Sequence, residues 1–158
     1  MLKQATTNDF NKLRTIYQAQ VDEAEIKNDK LKFDVDTAMQ LTKERLIENT
    51  SNILMYVRDD KVVGYAVIAL AELTWNRTRT GNIEMFFIHP DYRKKISTHK
   101  FLDQIEDYFR DNDVELMLTN VFLFDNEYNV DEHYVDRASK YFESKGMKWC
   151  GNWFVKEL

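Results

Sequence analysis

Residues 52–73 constrain this chain more than any other stretch. Two runs of apolar, β-branched and aromatic residues flank the polar segment Arg58-Asp59-Asp60-Lys61. That pattern predicts two antiparallel strands joined by a tight turn. A further strand is expected over "NIEMFFIHP", after the loop "TWNRTRTG", and Pro90 ends it because proline brings no backbone donor to a ladder. The middle of the chain is therefore sheet, and the segments around it must cover that sheet.

Only four glycines and one proline punctuate the sequence, so the remaining boundaries are read from periodicity. Residues 2–5 predict a short strand. Thr7 then reads as a helix N-cap with Asp9 in the first turn. Phe10, Leu13, Ile16 and Tyr17 follow at helical spacing, which carries that helix to about residue 21. Asp36 is expected to cap a second helix bearing Ala38, Met39, Leu41, Leu46 and Ile47. Phe101, Leu102, Ile105, Tyr108 and Phe109 share one face of a helix beginning near Ser97 or Thr98. "DNDVELMLTNVFL" reads as a turn and a buried strand. Ala138, Tyr141 and Phe142 predict a last helix stopped by Gly146. "MKWCGNWFVKEL" reads as two short terminal strands. The order β-α-α-β-β-β-α-β-α-β-β implies some parallel pairing late in the chain. The expected fold is α/β, a single domain over residues 1–158 with a mixed, partly parallel sheet and helices on both faces.

The formal net charge of −5 argues against general nucleic-acid binding, which needs a basic surface. Cys150 is the sole cysteine, so no intrachain disulfide can form and a thiolate zinc cage lacks its ligands. No metal site is expected. No apolar run approaches the roughly 20 residues of a membrane helix. A reducing, cytoplasmic setting and no membrane partner are the expectation.

Within this acidic chain, Arg93, Lys94 and Lys95 stand together between the "NIEMFFIHP" strand and the next helix. Backbone N–H groups at a helix start, with cations beside them, suit a phosphate-bearing ligand. The competing reading is a solvated turn.

The chain resembles the GNAT N-acetyltransferase superfamily over nearly its whole length. "MLKQATTNDFNKLRTIY" is similar to the family's first strand and helix, "IEMFFIHPDYRKK" to its fourth strand and the loop after it, and "ASKYFESKGMKW" to its late helix. The resemblance implies transfer of an acyl group from acetyl-CoA to an amine, on a small molecule or a protein, by direct attack. It implies that Phe86, Phe87 and Ile88 hold the pantetheine arm through their backbone. It also implies that the loop of Arg93, Lys94, Lys95, Ile96, Ser97 and Thr98, with His99 beyond it, faces the pyrophosphate. Glu84 matches a strand acid that takes a proton from the amine, often through water. An amine must lose that proton before it attacks a thioester. Relatives pair through sheets or terminal strands, which implies a homodimer.

Three positions depart from the family pattern. Ile96 and Thr98 stand where the loop carries glycine, so the pyrophosphate loop is degenerate. Phe142 stands where many members place the tyrosine that protonates the leaving thiolate, and Tyr134 is then the candidate acid. These departures favour an alternative, a catalytically inactive GNAT-fold protein that binds other proteins. The segment 122–135, with Asp125, Glu127, Asp131 and Glu132, reads as an acidic insertion for a cationic acceptor or partner, or as solvated surface.

Overall fold

The computed structural model describes residues 1–23, 34–48, 52–93, 98–119 and 132–148. Contacts divide the chain into two compact units. The first carries a five-stranded sheet and four helices; the second carries one described helix.

The first unit opens with β1 (Leu2–Gln4), a 3₁₀ turn (Thr7–Asp9), α1 (Phe10–Glu23) and α2 (Val35–Glu48). Then come β2 (Asn52–Arg58), β3 (Lys61–Glu72), β4 (Arg79–Ile88), the one-turn α3 (Pro90–Arg93), α4 (Thr98–Asp111) and β5 (Leu116–Thr119). The sheet order is β1-β2-β3-β4-β5. The first three pairings are antiparallel, and β4 pairs with β5 in parallel. The mixed sheet expected from the element order is present.

The hairpin forms where the sequence predicts it. Asp59 and Asp60 take φ of 48° and 59°, and Arg58 pairs with Lys61. Two successive positive φ values make the mirror-image turn whose twist matches the strands, and aspartate is one of the few non-glycine residues that enters this region readily. β4 begins at Arg79, three residues earlier than its apolar run suggests, because Glu72 still pairs with Arg79 across the loop.

Alternation along the strands divides the core. Ile53, Met55, Tyr65, Val67 and Phe87 pack with Leu13, Ile16 and Tyr17 of α1 and Met39 of α2. On the opposite face α4 lays Phe101 against Tyr56 and Phe86, and Phe109 against Gly81. The 14-residue α4 buries Phe101, Leu102, Ile105 and Phe109 on one stripe, as its spacing predicts.

Both helix caps lie just upstream of their expected positions. For α1, Thr6 precedes the turn, and the Asp9 carboxylate accepts from the Thr6 N–H and hydroxyl. Asp9 also accepts from the Lys3 ammonium at 2.8 Å. For α2, the Asp34 carboxylate accepts from the N–H groups of Asp36 and Thr37, so Asp34 is the cap and Asp36 a first-turn acid paired with Arg14. Several aspartates and threonines offered caps here. At α2 the oxygens of Asp34 reach the second and third N–H of the helix, whereas at the first turn it is Asp9 that reaches back to Thr6. On α2 only Met39 of the expected apolar set is buried; Leu41 and Ile47 are 47% and 65% exposed. The helix rests on a narrower stripe, where the Thr42 and Tyr17 hydroxyls share a buried 2.9 Å hydrogen bond. β5 is also less buried than expected, with Leu116 exposed and Met117, Leu118 and Thr119 half-buried.

In the second unit, α5 (Glu132–Ser144) ends as its sequence predicts. Gly146 has φ +79°, its N–H bonds the Glu143 carbonyl, and the Met147 N–H bonds the Phe142 carbonyl. This is the double-bonded C-terminal cap that glycine favours. The terminal strands expected after it fall mostly outside the described residues, and Met147 and Lys148 carry no strand.

Candidate functional site

The expected site residues concentrate on β4 and the turn that follows. β4 is not a uniform strand. Val67 pairs with Met85 and Ile68 with Ile83, so Glu84 is an extra residue with no partner of its own, a β-bulge. A bulge bends the strand and re-aims side chains. Glu84 and Met85 consequently both face α1 and α2: Met85 packs against that core, and Glu84 reaches Arg45 of α2. Beyond the bulge the alternation resumes in shifted phase, which puts Phe86 against Phe101 and Phe87 in the α1 core.

β5 pairs with Thr80, Gly81, Asn82 and Ile83. Among the described residues nothing pairs with the outer edge of residues 84–88. The direction of the backbone groups there follows from one hydrogen bond. The His89 N–H donates to the Val63 carbonyl at 3.0 Å. In an antiparallel ladder such pairs alternate. Phe87 therefore spends its N–H and C=O on Tyr65, while Phe86 and Ile88 turn theirs outward. Of the three residues expected to face a ligand, Phe86 turns both backbone groups outward, Ile88 turns its N–H outward while Arg93 takes its carbonyl, and Phe87 supplies its ring to the core.

Arg93 closes the end of this edge. Its Nε donates to the outward Ile88 carbonyl at 3.0 Å. Its two terminal nitrogens donate to the two carboxylate oxygens of Glu23, at the end of α1. Its guanidinium also lies 5.6 Å from the centre of the Phe87 ring. This forked geometry is the strong form of the arginine–carboxylate pair. Arg93 thus has a carboxylate of the chain itself as its anion. Lys94, Lys95, Ile96 and Ser97 lie outside the described residues, and Thr98 and His99 form the first turn of α4. His89 caps α3: its Nδ1 accepts the Asp91 N–H at 3.3 Å, and its ring meets Tyr92 edge-on.

Glu84 is paired differently. Arg45 Nη1 donates to Glu84 Oε2 at 3.0 Å, and the two side chains are 40% and 36% exposed. Behind this pair stands a buried aromatic column in which Tyr65 lies 4.7 Å from Tyr17 and 6.2 Å from Phe87. Burial, followed by the neighbouring Tyr17, pushes the Tyr65 hydroxyl far above its ordinary pKa. Tyr65 therefore stays a proton donor, and its O–H bonds Gln20. Tyr134 lies on α5 in the second unit, where only its place on the helix is described. Tyr141 and Phe142 meet edge-to-face on that helix with centroids 5.2 Å apart. Most of the acidic segment 122–135, Cys150, Trp149 and Trp153 lie outside the described residues. Trp75 is 78% exposed in the loop between β3 and β4.

Arg45 and Glu23 are two charged members of this region that the sequence did not single out. Each is one charge among many on a helix, and its partner is 39 or 70 residues away. No described helix is long and apolar enough to cross a membrane. Among the described residues no group of three potential metal ligands gathers.

The fourth strand is thus bulged, and among the described residues it is open-edged beyond its parallel partner. Residues 2–153 match the acetyltransferase (GNAT) domain, and the chain belongs to that family, whose members use acetyl-CoA. Solved structures agree on the fold. A predicted acetyltransferase of Clostridium acetobutylicum with acetyl-CoA superposes with a TM-score of 0.69 at 14% identity, covering 99% of this chain and 95% of that one. A ribosomal-protein-alanine N-acetyltransferase of Brucella melitensis gives 0.71 at 15% identity, covering 100% and 99%. An aminoglycoside N-acetyltransferase in complex with CoA gives 0.71 at 11% identity, covering 100% and 93%. No curated protein sequence matches the chain.

Proposed function

We propose that this protein is an acetyl-CoA-dependent N-acetyltransferase in which a neutral amine attacks the thioester directly. The observation that carries the proposal is the open edge of β4, where Phe86 and Ile88 turn backbone groups outward beside the bulged Glu84. Those groups fit a ligand arm that carries amides of its own, as an added strand would. Acetyl-CoA supplies the acetyl group as a thioester and departs as the thiol.

The chain's residues divide the remaining work. Glu84, at the bend, takes a proton from the acceptor ammonium, directly or through water, so that its nitrogen carries a free electron pair. An outward N–H of β4 donates to the carbonyl oxygen as negative charge grows there. The new C–N bond forms as the C–S bond breaks, and sulfur leaves with the bonding electrons. Water returns a proton to the sulfur. Arg93 holds the end of β4 in register through Ile88, and the degenerate loop with Ile96 and Thr98 leaves the pyrophosphate to backbone groups and to Lys94 and Lys95.

The test is calorimetric titration with acetyl-CoA, together with steady-state rates for the wild type and Glu84→Gln. Micromolar binding is expected in both, with turnover reduced about 10²- to 10⁴-fold in the variant, the usual span for loss of a general base. Absence of binding at millimolar acetyl-CoA by folded protein overturns the proposal. That outcome favours a GNAT-fold protein without catalysis that binds other proteins. One observation already supports this second reading: the Arg93 guanidinium is engaged by Glu23 and Ile88.

A further inference from the structure

The two ion pairs that flank the open part of β4 differ in construction. Arg93 and Glu23 form a closed fork, with both carboxylate oxygens used and the Arg93 Nε also bonded. Arg45 and Glu84 share one hydrogen bond, from Nη1 to Oε2 at 3.0 Å. Among the described residues, the remaining donors of Arg45 and the second oxygen of Glu84 take no side-chain partner. Both side chains are more than one-third exposed. A single half-exposed pair contributes little to stability. Exchanging it for external partners therefore costs little.

We propose that Arg45 and Glu84 together form a receptor for an acceptor bearing a carboxylate next to its amine, an amino acid or a peptide with a free amine close to a carboxylate. Within the acetyltransferase reading, on which this inference rests, Glu84 draws the ammonium end. Arg45 draws the carboxylate end. Such a guest replaces one internal pair with two external ones, and it brings the amine to the acid that must deprotonate it. An amine without the carboxylate leaves Arg45 facing Glu84 and has to compete with it. A dication meets Arg45 as a like charge. The planar guanidinium suits a carboxylate better than a lysine ammonium would, because it offers parallel donors. Arg45 is here a specificity-determining residue.

The test uses matched acceptors that differ only by the carboxylate: phenylalanine against phenethylamine, leucine against 3-methylbutylamine, and glycyl-glycine against N-methylglycinamide. Initial rates with acetyl-CoA give kcat/KM for each. The expected result is a preference of about two- to fivefold for the carboxylate-bearing member of at least one pair, the size of one partly exposed ion pair. That preference should lie in KM and shrink as salt rises. Arg45→Gln should abolish the preference ratio, Arg45→Glu should invert it, and Arg45→Lys should keep part of it. Circular dichroism checks that each variant is folded. Equal use of both members, or a ratio that Arg45→Gln and salt leave untouched, overturns the inference while acetylation itself stands. Acetyl-CoA binding with no carboxylate-bearing amine consumed also overturns it. Failure to bind acetyl-CoA at all instead overturns the acetyltransferase reading beneath it.

Discussion

From residue 79 to residue 83, β4 runs between β3 and β5, and Gly81 lies so close under Phe109 that an added Cβ would stand 2.5 Å from the ring. From residue 84 to residue 88 the same strand keeps β3 as its described neighbour, and side chains do the bracing: Phe86 stacks on Phe101 at 5.0 Å, and Arg93 ties Ile88 to Glu23. The difference teaches how a sheet can be both rigid and available. Backbone groups paired on both sides have nothing left to offer. A strand that is to offer N–H and C=O groups must give up one neighbour, and its position has to be held by packing and by charge.

The largest change should come from removing the packing that braces the open half. Phe101 has no exposed surface and touches Tyr56 and Phe86. Phe101→Ala should cost about 3–5 kcal/mol in urea unfolding, the range for a buried phenylalanine. A loss below about 1 kcal/mol would mean that α4 does not hold this half.

The clasped half breaks in the opposite way, by overfilling. Gly81→Ala must push Phe109 aside and should cost about 1–3 kcal/mol. Pairing it with Phe109→Leu should recover part of the loss, and a neutral Gly81→Ala would contradict the close approach.

Acid sharpens the comparison through α1, whose far end carries Glu23. Asp9 is buried at the start of that helix. Burial raises its pKa, but the Lys3 ammonium and the Thr6 hydrogen bonds outweigh it, so the carboxyl sits below its ordinary range. Its contribution is present in full above the unfolded-state value of about 4 and is lost as pH falls through the lower folded-state value. Unfolding midpoints between pH 6 and pH 2 should therefore fall more steeply for the wild type than for Asp9→Asn. Parallel slopes would remove Asp9 from the account.

The smallest effect separates the two ion pairs. Arg93→Gln should cost about 1 kcal/mol, since a forked pair and a bond to a carbonyl disappear. Arg45→Gln should cost less than about 0.5 kcal/mol. Equal losses would mean that the two pairs are built alike after all.

Local patterns were legible in this chain. The Asp59-Asp60 turn, the buried stripe of α4, the stop at Gly146 and the strand ending at Pro90 depend on residues a few places apart, and they appear where the spacing puts them. The caps were legible in kind and shifted in place, to Thr6 and Asp34. Candidate oxygens crowd both helix starts, and the backbone path chooses among them. Phe86, Phe87 and Ile88 were expected to face a ligand, and they lie on the open edge, but periodicity cannot say which backbone groups point outward. That depended on the register with β3, known only from the pairing of His89 with Val63.

By itself, then, the sequence determined the described strands and long helices, the apolar faces of α1 and α4, and which family the chain belongs to. Each of these rests on repeated short-range terms that add up over many residues. The bulge at Glu84, the direction of the Phe86 and Ile88 amides, and the partners of Arg45 and Arg93 were decided by the tertiary structure. A bulge is one residue of mismatch between two strands. An ion pair across 39 or 70 residues is a small energy that exists only once the sheet and helices have brought its ends together.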